Sequence, residues 1–444
     1  MTRGIVEARA PAVGTAPGEE MYRFAADLFP ICRSITGDGV RQTLRWVGAM
    51  VPSLRVREVP SGTKCFDWIV PDEWNIRDAY VADASGRRVI DFRRNNLHVV
   101  SYSTPVDTVV SRAELDEHLF SIPELPDAIP YRTSYYRPFW GFCLSHNDRQ
   151  RLAEGSYRVR IDADVAPGHL TYADVVIPGS STREVFFSTY ICHPSMANNE
   201  VSGPTVATFL ARWLQARKGR YTYRLCFVPE TIGAVAYLHE NLDHLRAVTL
   251  AGFQLTCVGD DRTFSYLPSR TGATLADRVA EHVLRHLADR YDRYDFVRDR
   301  GSDERQWSSP GADLPVVSIM RSKYGTYPEY HTSLDDMSVI SAAGLAGSLF
   351  VHQQCVQVIE ANRTWRTSVV GEPQLSRRGL GQPVGGSRGP LPAASKLVLD
   401  VLELADGTMD VIAIADRIGA YALDVADACL MLAEDDLLIE VGSR

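Results

Sequence analysis

The stretch ICHPSMANNEVSG, residues 191–203, decides the fold. It is a polar, histidine-containing turn that follows the apolar run 185–191 and precedes a helical pattern at 205–215. In an open α/β sheet, the carboxyl end of a strand is where the fold places its binding groups. We therefore predict a metal and substrate site at this turn.

Strand and helix patterns alternate on both sides of the turn. The strand patterns lie at 157–165, 171–177, 185–191, 223–228, 249–255 and 316–320, and the helical patterns at 205–215, 234–245, 274–291 and 340–360. Such alternation predicts an α/β domain in which helices pack on both faces of a mostly parallel sheet.

Residues 54–157 differ from this pattern, because short strand-like pieces are separated by proline and glycine turns. The clearest pieces are 56–59, 65–70 and 96–101. They predict a β-rich domain inserted into the α/β domain. Its aromatic stretch, residues 131–141, is the densest in the chain. Core packing is the usual reason for such a stretch; the alternative is a pocket wall in which Arg132 binds an anion.

The two ends of the chain have their own composition. Residues 1–18, rich in Ala, Pro and Gly, are predicted to be disordered. Residues 19–53 contain two helical patterns. We predict that they form the α/β domain together with residues 158–365. A Gly-, Pro- and Arg-rich linker is predicted at 366–390. Three helical patterns and a short strand in 391–444 predict a winged-helix domain.

The charge of this last domain argues against DNA as its partner. Residues 391–444 contain three basic and eleven acidic side chains, a formal charge of −8 that equals the net charge of the whole chain. Such a surface repels phosphate. We expect no nucleic acid as a partner, which disfavours a DNA-binding regulator, and assign the domain to protein contacts, within the chain or in a homo-oligomer.

Composition excludes several other classes of protein. With 45% hydrophobic and 23% charged residues, the 444-residue chain is typical of a globular protein of several domains. It has no apolar run of membrane-spanning length and no apolar secretory segment at its start, so we expect a cytoplasmic protein without membrane contacts. None of the eight cysteines forms a C-x-x-C pair, which disfavours a zinc knuckle or a disulfide framework.

The candidate ligands follow from the chemistry of zinc, which binds imidazole and carboxylate and needs an open position for hydrolysis. His193 ends a strand, and Glu200 follows it seven residues later in the same turn. Glu230 comes directly after the strand 223–228, where a partly buried carboxylate suits a general base. His331 is the best second histidine ligand, and Asp335 or Asp336 is expected to orient it.

The motifs ICRSITGDGVRQTL, CHPSMANNEVSG, PETIG, GSDERQW, PEYHTS and GEPQLSRRGL together resemble those of bacterial proteins with an aminopeptidase-like domain. The resemblance extends from about residue 20 to the end of the chain. It implies the fold of the zinc aminopeptidase superfamily, with an inserted β domain and a C-terminal winged helix.

The resemblance implies roles for three residues: His193 and His331 as metal ligands and Glu230 as general base. Asn199, Thr231 and Thr256 occupy positions where that superfamily has carboxylate ligands. A second metal is therefore doubtful, and one zinc ion held by His193, His331 and a carboxylate is expected. Glu200 is the first choice for that carboxylate and Asp303 the second.

The expected function is that of a zinc-dependent aminopeptidase or amidohydrolase acting on a short peptide or small amide. Glu230 would take the proton of a zinc-activated water and pass it to the leaving amine. Asp303, Glu304, Arg305 and Tyr330, with Arg132, would line the substrate pocket. The alternative, which the missing carboxylates favour, is a catalytically degenerate peptidase fold that serves as a binding or scaffold protein.

Overall fold

A computed structural model describes residues 16–378 and 393–442. The described chain forms two compact units. The first contains residues 16–276 and 291–350, and the second contains 277–290, 351–378 and 393–442. No helix in these ranges is long and apolar enough to cross a membrane.

The helices are α1 (Ala16–Leu28), α2 (Asp38–Met50), α3 (Arg112–Asp116), α4 (His146–Gln150), α5 (Ser202–Gln215), α6 (Ile232–Val248), α7 (Leu275–Leu287), α8 (Phe296–Asp299), α9 (Glu304–Trp307), α10 (Ala342–Ala361), α11 (Ala393–Leu404), α12 (Val411–Ile418) and α13 (Ala422–Glu434). Short 3₁₀ turns lie at Asn96–His98 and Leu375–Arg378, and a π-helical turn lies at Ala197–Val201.

The strands are β1 (Arg55–Pro60), β2 (Lys64–Cys65), β3 (Trp68–Ile69), β4 (Glu73–Ala82), β5 (Arg88–Asp91), β6 (Val106–Ser111), β7 (Leu119–Phe120), β8 (Phe142–Cys143), β9 (Ser156–Ala166), β10 (His169–Ile177), β11 (Glu184–Tyr190), β12 (Thr222–Val228), β13 (Thr249–Gln254), β14 (Phe264–Leu267), β15 (Tyr291–Arg293), β16 (Val316–Met320), β17 (Thr364–Thr367), β18 (Asp406–Asp410) and β19 (Leu438–Glu440).

The centre of the first unit is an eight-stranded sheet in the order β1-β10-β12-β11-β13-β16-β14-β15. The middle strands β12, β11, β13 and β16 are parallel, as predicted, and every residue of β11, β12 and β16 is buried. Antiparallel pairs flank them on both sides, so the whole sheet is mixed. The carboxyl ends of the four parallel strands therefore meet at one edge.

Helix α5 follows β11 and is almost wholly buried, which explains its apolar and small residues. Its Phe209 packs edge-on against Phe24 of α1, with ring centroids 6.1 Å apart. The predicted N-terminal helices are thus part of the first unit. The segment 1–18, predicted to be disordered, lies outside the described residues except for 16–18, which begin α1.

The inserted β-rich region contains a four-stranded antiparallel sheet in the order β5-β4-β9-β6. Its boundaries differ from the prediction of 54–157. Strand β1 pairs with β10 of the central sheet, whereas β9, which we predicted for the α/β domain, pairs with β4 and β6. The predicted strand at 96–101 is wrong, because the Asn95 side chain accepts a hydrogen bond from the Leu97 amide and starts a 3₁₀ turn.

The second unit is built on three helices, α11 to α13, and the sheet β18-β17-β19. Asp410 caps α12 at its start by accepting from the Ala413 amide, and Gly419 ends it with a left-handed conformation at φ 70°. Strand β17 belongs to this unit, so residues 366–367, which we predicted as the start of the linker, are part of a strand. Residues 379–390 of that predicted linker lie outside the described chain.

Candidate functional site

The candidate site lies at the edge where the parallel strands end. His193 follows β11, Glu230 follows β12, and His331 lies in the loop that follows β16. These three residues are far apart in the sequence, but the imidazole centroids of His193 and His331 are 5.4 Å apart, and His193 Nε2 lies 3.5 Å from Glu230 Oε2. The sheet topology thus brings the predicted base and both predicted histidines together.

The turn after β11 is fixed by buried carboxylates. Asp335 accepts hydrogen bonds from the backbone amides of Asn198 (2.7 Å) and Asn199 (2.9 Å) and from the Tyr327 hydroxyl (3.0 Å). Asn198 donates to Asp260 at 2.9 Å. Asp335 therefore holds the π-helical turn, contrary to the prediction that Asp335 or Asp336 orients His331. The Asp336 carboxylate accepts from the Ser338 amide at 2.8 Å.

Glu200 contacts His193 on the Nδ1 side of the imidazole ring. Glu200 Oε2 lies 3.0 Å from both the backbone nitrogen and Nδ1 of His193. Arg33 closes this arrangement: its Nε donates to the His193 carbonyl at 2.9 Å and lies 3.2 Å from Glu200 Oε1. Both charged side chains are 0% exposed. Glu200 is thus placed to orient His193 through Nδ1, which leaves Nε2 directed at Glu230.

Burial and charge act against each other on this histidine. Burial lowers the pKa of His193, but the neighbouring Cys192, Glu200 and Glu230 favour the imidazolium more strongly, and the net pKa is raised well above its usual value. Burial also raises the pKa of the Cys192 thiol to about 11. The Cys192 sulfur accepts a hydrogen bond from the Glu230 amide at 3.2 Å, so the thiol has a structural partner.

Glu230 is presented by a strained turn. The next residue, Thr231, has φ 64° and ψ −76°, a conformation that costs a β-branched residue about 1–3 kcal/mol. Two contacts hold it: the Thr231 amide donates to Asp303 Oδ1 at 2.7 Å, and Arg305 donates to the Thr231 hydroxyl at 2.9 Å. Asp303 and Arg305 therefore help to position the candidate base.

Two carboxyl groups of the site resist ionisation. Burial raises the pKa of Glu230, although His193 and Arg305 oppose this shift. Burial, reinforced by the charge of Glu230, also raises the pKa of Asp303 well above its usual range. Asp303 Oδ2 is buried and accepts no hydrogen bond, so it is open to a cation or a donor from a ligand.

His331 is kept neutral and flanked by tyrosines. Burial, together with the charge of His193, lowers the pKa of His331 to about 3, so its lone pair is available near neutral pH. Its ring stacks on Tyr330, with centroids 4.0 Å apart. The Tyr131 ring from the inserted region lies 5.2 Å from both His193 and His331. The insert thus contributes one wall of the site.

The remaining predicted substrate-binding residues divide into two groups. Tyr330 and Arg305 lie beside the histidines and Glu230, as described above. Glu304 accepts hydrogen bonds from the Gly301 and Ser302 amides and from Tyr324, and its Oε2 is buried without a hydrogen-bond partner. Arg132 lies over the Phe120 ring at 4.5 Å, and the structure gives it no contact with the site, since the adjacent Tyr131 side chain takes that place.

The donor set does not fit two metal ions. The Tyr190 hydroxyl lies 2.6 Å from the Thr256 hydroxyl and 3.1 Å from Asn199 Oδ1, so it links two positions where carboxylate ligands would be required. Thr231, the third such position, bonds Asp303 and Arg305 instead. These neutral oxygens already take part in hydrogen bonds with Tyr190 and Arg305, so they supply neither the charge nor the free lone pairs that a second cation needs.

On the Nε2 side of His193, next to Glu230, His331 is the residue that would join His193 in holding a single zinc ion. Among the described residues, one group of three potential ligands has all its ligand atoms within 4.8 Å: Cys192, His193 and Glu200. This group is a poor cation site, because Arg33 already neutralises Glu200 and the thiol is protonated. Its geometry fits an orienting role better than a ligand role.

Comparison with known proteins places the chain in a family. A family model described as a domain of unknown function (DUF4910) matches residues 22–362. The chain belongs to the DUF4910 family. A second model, a winged helix-turn-helix, matches residues 363–440. The second match confirms the predicted winged helix, and it includes β17.

Individual relatives agree with this assignment. The chain is 44% identical over 403 residues to a Clostridium acetobutylicum protein provisionally named a polysaccharide biosynthesis protein with aminopeptidase-like domain; the match covers 90% of this chain and 92% of the relative. A crystal structure from the same species, of a protein provisionally called a peptidase, has a TM-score of 0.90 at 41% identity and 96% coverage of each chain. These matches confirm the predicted resemblance to proteins with an aminopeptidase-like domain.

A more distant structure shows the fold alone. A zinc aminopeptidase from Bacillus subtilis matches with a TM-score of 0.54 at 14% identity, covering 76% of this chain and 94% of the other. The chain thus has an aminopeptidase-like fold, as predicted.

Sequence reasoning missed three residues of this site. Arg33 lies in the N-terminal motif of residues 31–44, to which we had assigned no role, and Tyr131 lies in the aromatic stretch. Tyr190 reads as an ordinary strand residue. Nothing in the sequence around Arg33, RSITG at 33–37, indicates a contact with Glu200. The high density of aromatic residues around position 131 was a usable signal for the pocket wall.

Proposed function

We propose that the chain is a metal-dependent amide or peptide hydrolase acting on a short peptide or small amide. One observation carries this proposal: the Glu230 carboxylate lies 3.5 Å from His193 Nε2. Both follow neighbouring parallel strands at the binding edge of the sheet, and the neutral His331 is beside them. This is the arrangement that a base next to a metal-bound substrate needs.

Zinc is the proposed metal, bound as a single ion by His193 through Nε2, by His331 and by one carboxylate. The open oxygen of Asp303 makes it the better carboxylate candidate, since both oxygens of Glu200 already face His193 and Arg33. When bound, zinc supplies a Lewis acid that polarises the amide carbonyl.

The residues of the chain carry out the proton transfers. Glu230 takes a proton from the attacking water as the new C–O bond forms, and delivers it to the amide nitrogen as the C–N bond breaks. The products are a carboxylic acid and an amine. Arg305, which is exposed beside the strained turn, is placed to bind a negative group on the substrate.

The relative's provisional name supports a substrate from polysaccharide biosynthesis. A small amide in such a pathway is an acylated amine on a sugar or sugar precursor. We therefore include N-acylated amino compounds with aminoacyl amides among the candidate substrates.

The test is a Glu230→Gln variant of zinc-reconstituted protein, screened against aminoacyl amides and N-acylated amines. Turnover should fall by about 10²- to 10⁴-fold with zinc content unchanged, because the variant keeps the ligands and loses the base. Glu20→Gln, which alters an exposed glutamate paired with Arg212, is the matched control. Equal turnover by wild type and Glu230→Gln contradicts the proposal.

The second candidate function is a binding or scaffold protein with a degenerate peptidase fold. The hydrogen bonds among Tyr190, Asn199 and Thr256 favour it, since they occupy positions that a two-metal peptidase uses for ligands. It predicts no stoichiometric zinc and no turnover. About one zinc per chain would contradict it.

A further inference from the structure

An exposed group of apolar side chains, which we call the aromatic strip, lies in the inserted region. It consists of Trp68 and Tyr136, which are 38% and 53% exposed, and of Phe66, which is 48% exposed in the same hairpin as Trp68. Trp68 and Tyr136 meet edge-on with ring centroids 6.0 Å apart. Contiguous apolar groups that remain exposed on a globular protein mark binding surfaces more often than single exposed residues do.

The backbone holds these rings outward under strain. Phe66 forms the turn of the hairpin between β2 and β3 with φ 54°, and Tyr136 has φ 62°. Both are bulky residues in a region that glycine or asparagine normally occupies. The hairpin is fixed by Cys65, which is 1% exposed, and by an edge contact between Phe66 and His239 at 5.2 Å. The rings are therefore positioned by the fold.

The strip is linked to the candidate active site through neighbouring tyrosines of the aromatic stretch. The Tyr135 hydroxyl lies 2.9 Å from the Tyr131 hydroxyl, and the Tyr131 ring contacts His193 and His331. Tyr136 is the next residue after Tyr135. Five residue steps separate Tyr131 from Tyr136, so their backbones are at most about 18 Å apart. This bound is comparable with the length of a ligand of a few ring units, so one ligand touching both the strip and the Tyr131 wall is compatible with the fold.

The surroundings of the strip indicate the chemistry of that ligand. Four exposed polar side chains lie next to its members in the sequence or in space: Lys64, Asp67, Arg137 and His239. Aromatic faces bordered by hydrogen-bonding groups suit a sugar ring, which has an apolar C–H face and a rim of hydroxyls. A purely apolar partner would leave these four polar groups without partners.

We propose that the aromatic strip is a carbohydrate-binding subsite, which holds sugar units of a glycan or amino-sugar substrate whose N-acyl group reaches Glu230. The reacting group rests on the proposed function: water would cleave the amide C–N bond and release a carboxylic acid and a free amine on the sugar. The sugar contact at Trp68 and Tyr136 does not depend on that reaction.

The test measures binding without turnover. Cellobiose and N,N′-diacetylchitobiose are titrated into the full chain, with saturation-transfer NMR and tryptophan fluorescence as readouts. We expect millimolar binding that weakens about tenfold or more in Trp68→Ala and Tyr136→Ala, which each remove one ring contact. Trp46→Ala is the matched control. Trp46 lies on helix α2, outside the strip, is also exposed (40%), and has an edge-on aromatic neighbour, Phe24 of α1.

Each outcome has one meaning. Saccharide binding that depends on Trp68 supports the subsite, even if no amide is hydrolysed, and it should persist in Glu230→Gln. Absence of binding for both saccharides overturns the subsite, and so does equal binding by wild type and Trp68→Ala. Trp68-dependent binding of phenylalanine amide in place of the saccharides also overturns it, by identifying a peptide surface.

Discussion

At the scale of single residues, the identity of the side chains was more predictable than their roles. His193, Glu230 and His331 could be proposed because few residue types serve as ligands or bases, and the structure brings them together. The role of Glu200 could not be predicted, because it depends on Arg33, which is far from Glu200 in the sequence and lies between α1 and α2. The buried pair places Glu200 at Nδ1 of His193, whereas Glu230 lies at Nε2.

The Arg33–Glu200 pair predicts a large effect on stability. Arg33→Met leaves the Glu200 carboxylate buried without its cation, so the free energy of unfolding should fall by about 3–5 kcal/mol in urea denaturation. Adding Glu200→Gln to this variant should recover part of the loss, since the unpaired charge is removed. Arg212→Met, which breaks an exposed pair with Glu20, should cost less than about 1 kcal/mol. Equal costs for the two single variants would show that the buried pair is not structural.

At the scale of elements, hydrophobic periodicity located the parallel strands and the long helices. It failed where local side-chain chemistry or partner choice decides the structure. The 3₁₀ turn at Asn96–His98 depends on the Asn95 cap. The assignment of β1 and β9 to different sheets depends on pairing between distant strands, which no local pattern records.

The start of α5 illustrates a packing constraint that can be tested. A Cβ at Gly203 would lie 2.4 Å from the Thr189 hydroxyl and 2.7 Å from the Leu255 carbonyl oxygen. Gly203→Ala should therefore destabilise the chain by about 1–3 kcal/mol, measured as a shift of the urea midpoint.

Gly48 in the last turn of α2 is the matched control, because a Cβ there would meet only the Leu54 side chain, at 3.8 Å. Gly48→Ala should stabilise by about 0.5–1 kcal/mol through helix propensity. A stabilised Gly203→Ala variant would mean that α5 does not approach β11 as closely as described.

At the scale of the whole molecule, the alternation of strands and helices was enough to predict the aminopeptidase-like fold, and the three helical patterns near the end of the chain were enough to predict the winged helix. The boundaries could not be predicted, because β17 joins the winged helix only through pairing with β18 and β19. The packing of α7 with the winged helix was also invisible in the sequence. It rests on His282, whose Nδ1 lies 2.7 Å from Asp416 and whose Nε2 accepts from the Ala422 amide at 2.9 Å.

This histidine predicts a pH dependence of the second unit. Burial lowers the pKa of His282, although Asp416 opposes the shift. Because the unfolded chain then binds the proton more readily, the stabilisation is complete above an unfolded pKa of about 6.5 and is lost as the pH falls below it. The free energy of unfolding should decline less between pH 7 and pH 5 in His282→Gln than in wild type. Exposed His169→Gln is the control. Identical pH slopes for His282→Gln and wild type would contradict this prediction.

The most direct test of the central claim is the zinc content of the purified, reconstituted chain before and after His193→Ala. We predict about one equivalent of zinc in wild type and its loss in His193→Ala, with secondary structure unchanged by circular dichroism. A site formed by Cys192, His193 and Glu200 would also lose its metal in Cys192→Ser, whereas the proposed site should keep it. Wild type that binds no zinc at all would contradict a metal-dependent hydrolase and leave the binding protein as the function.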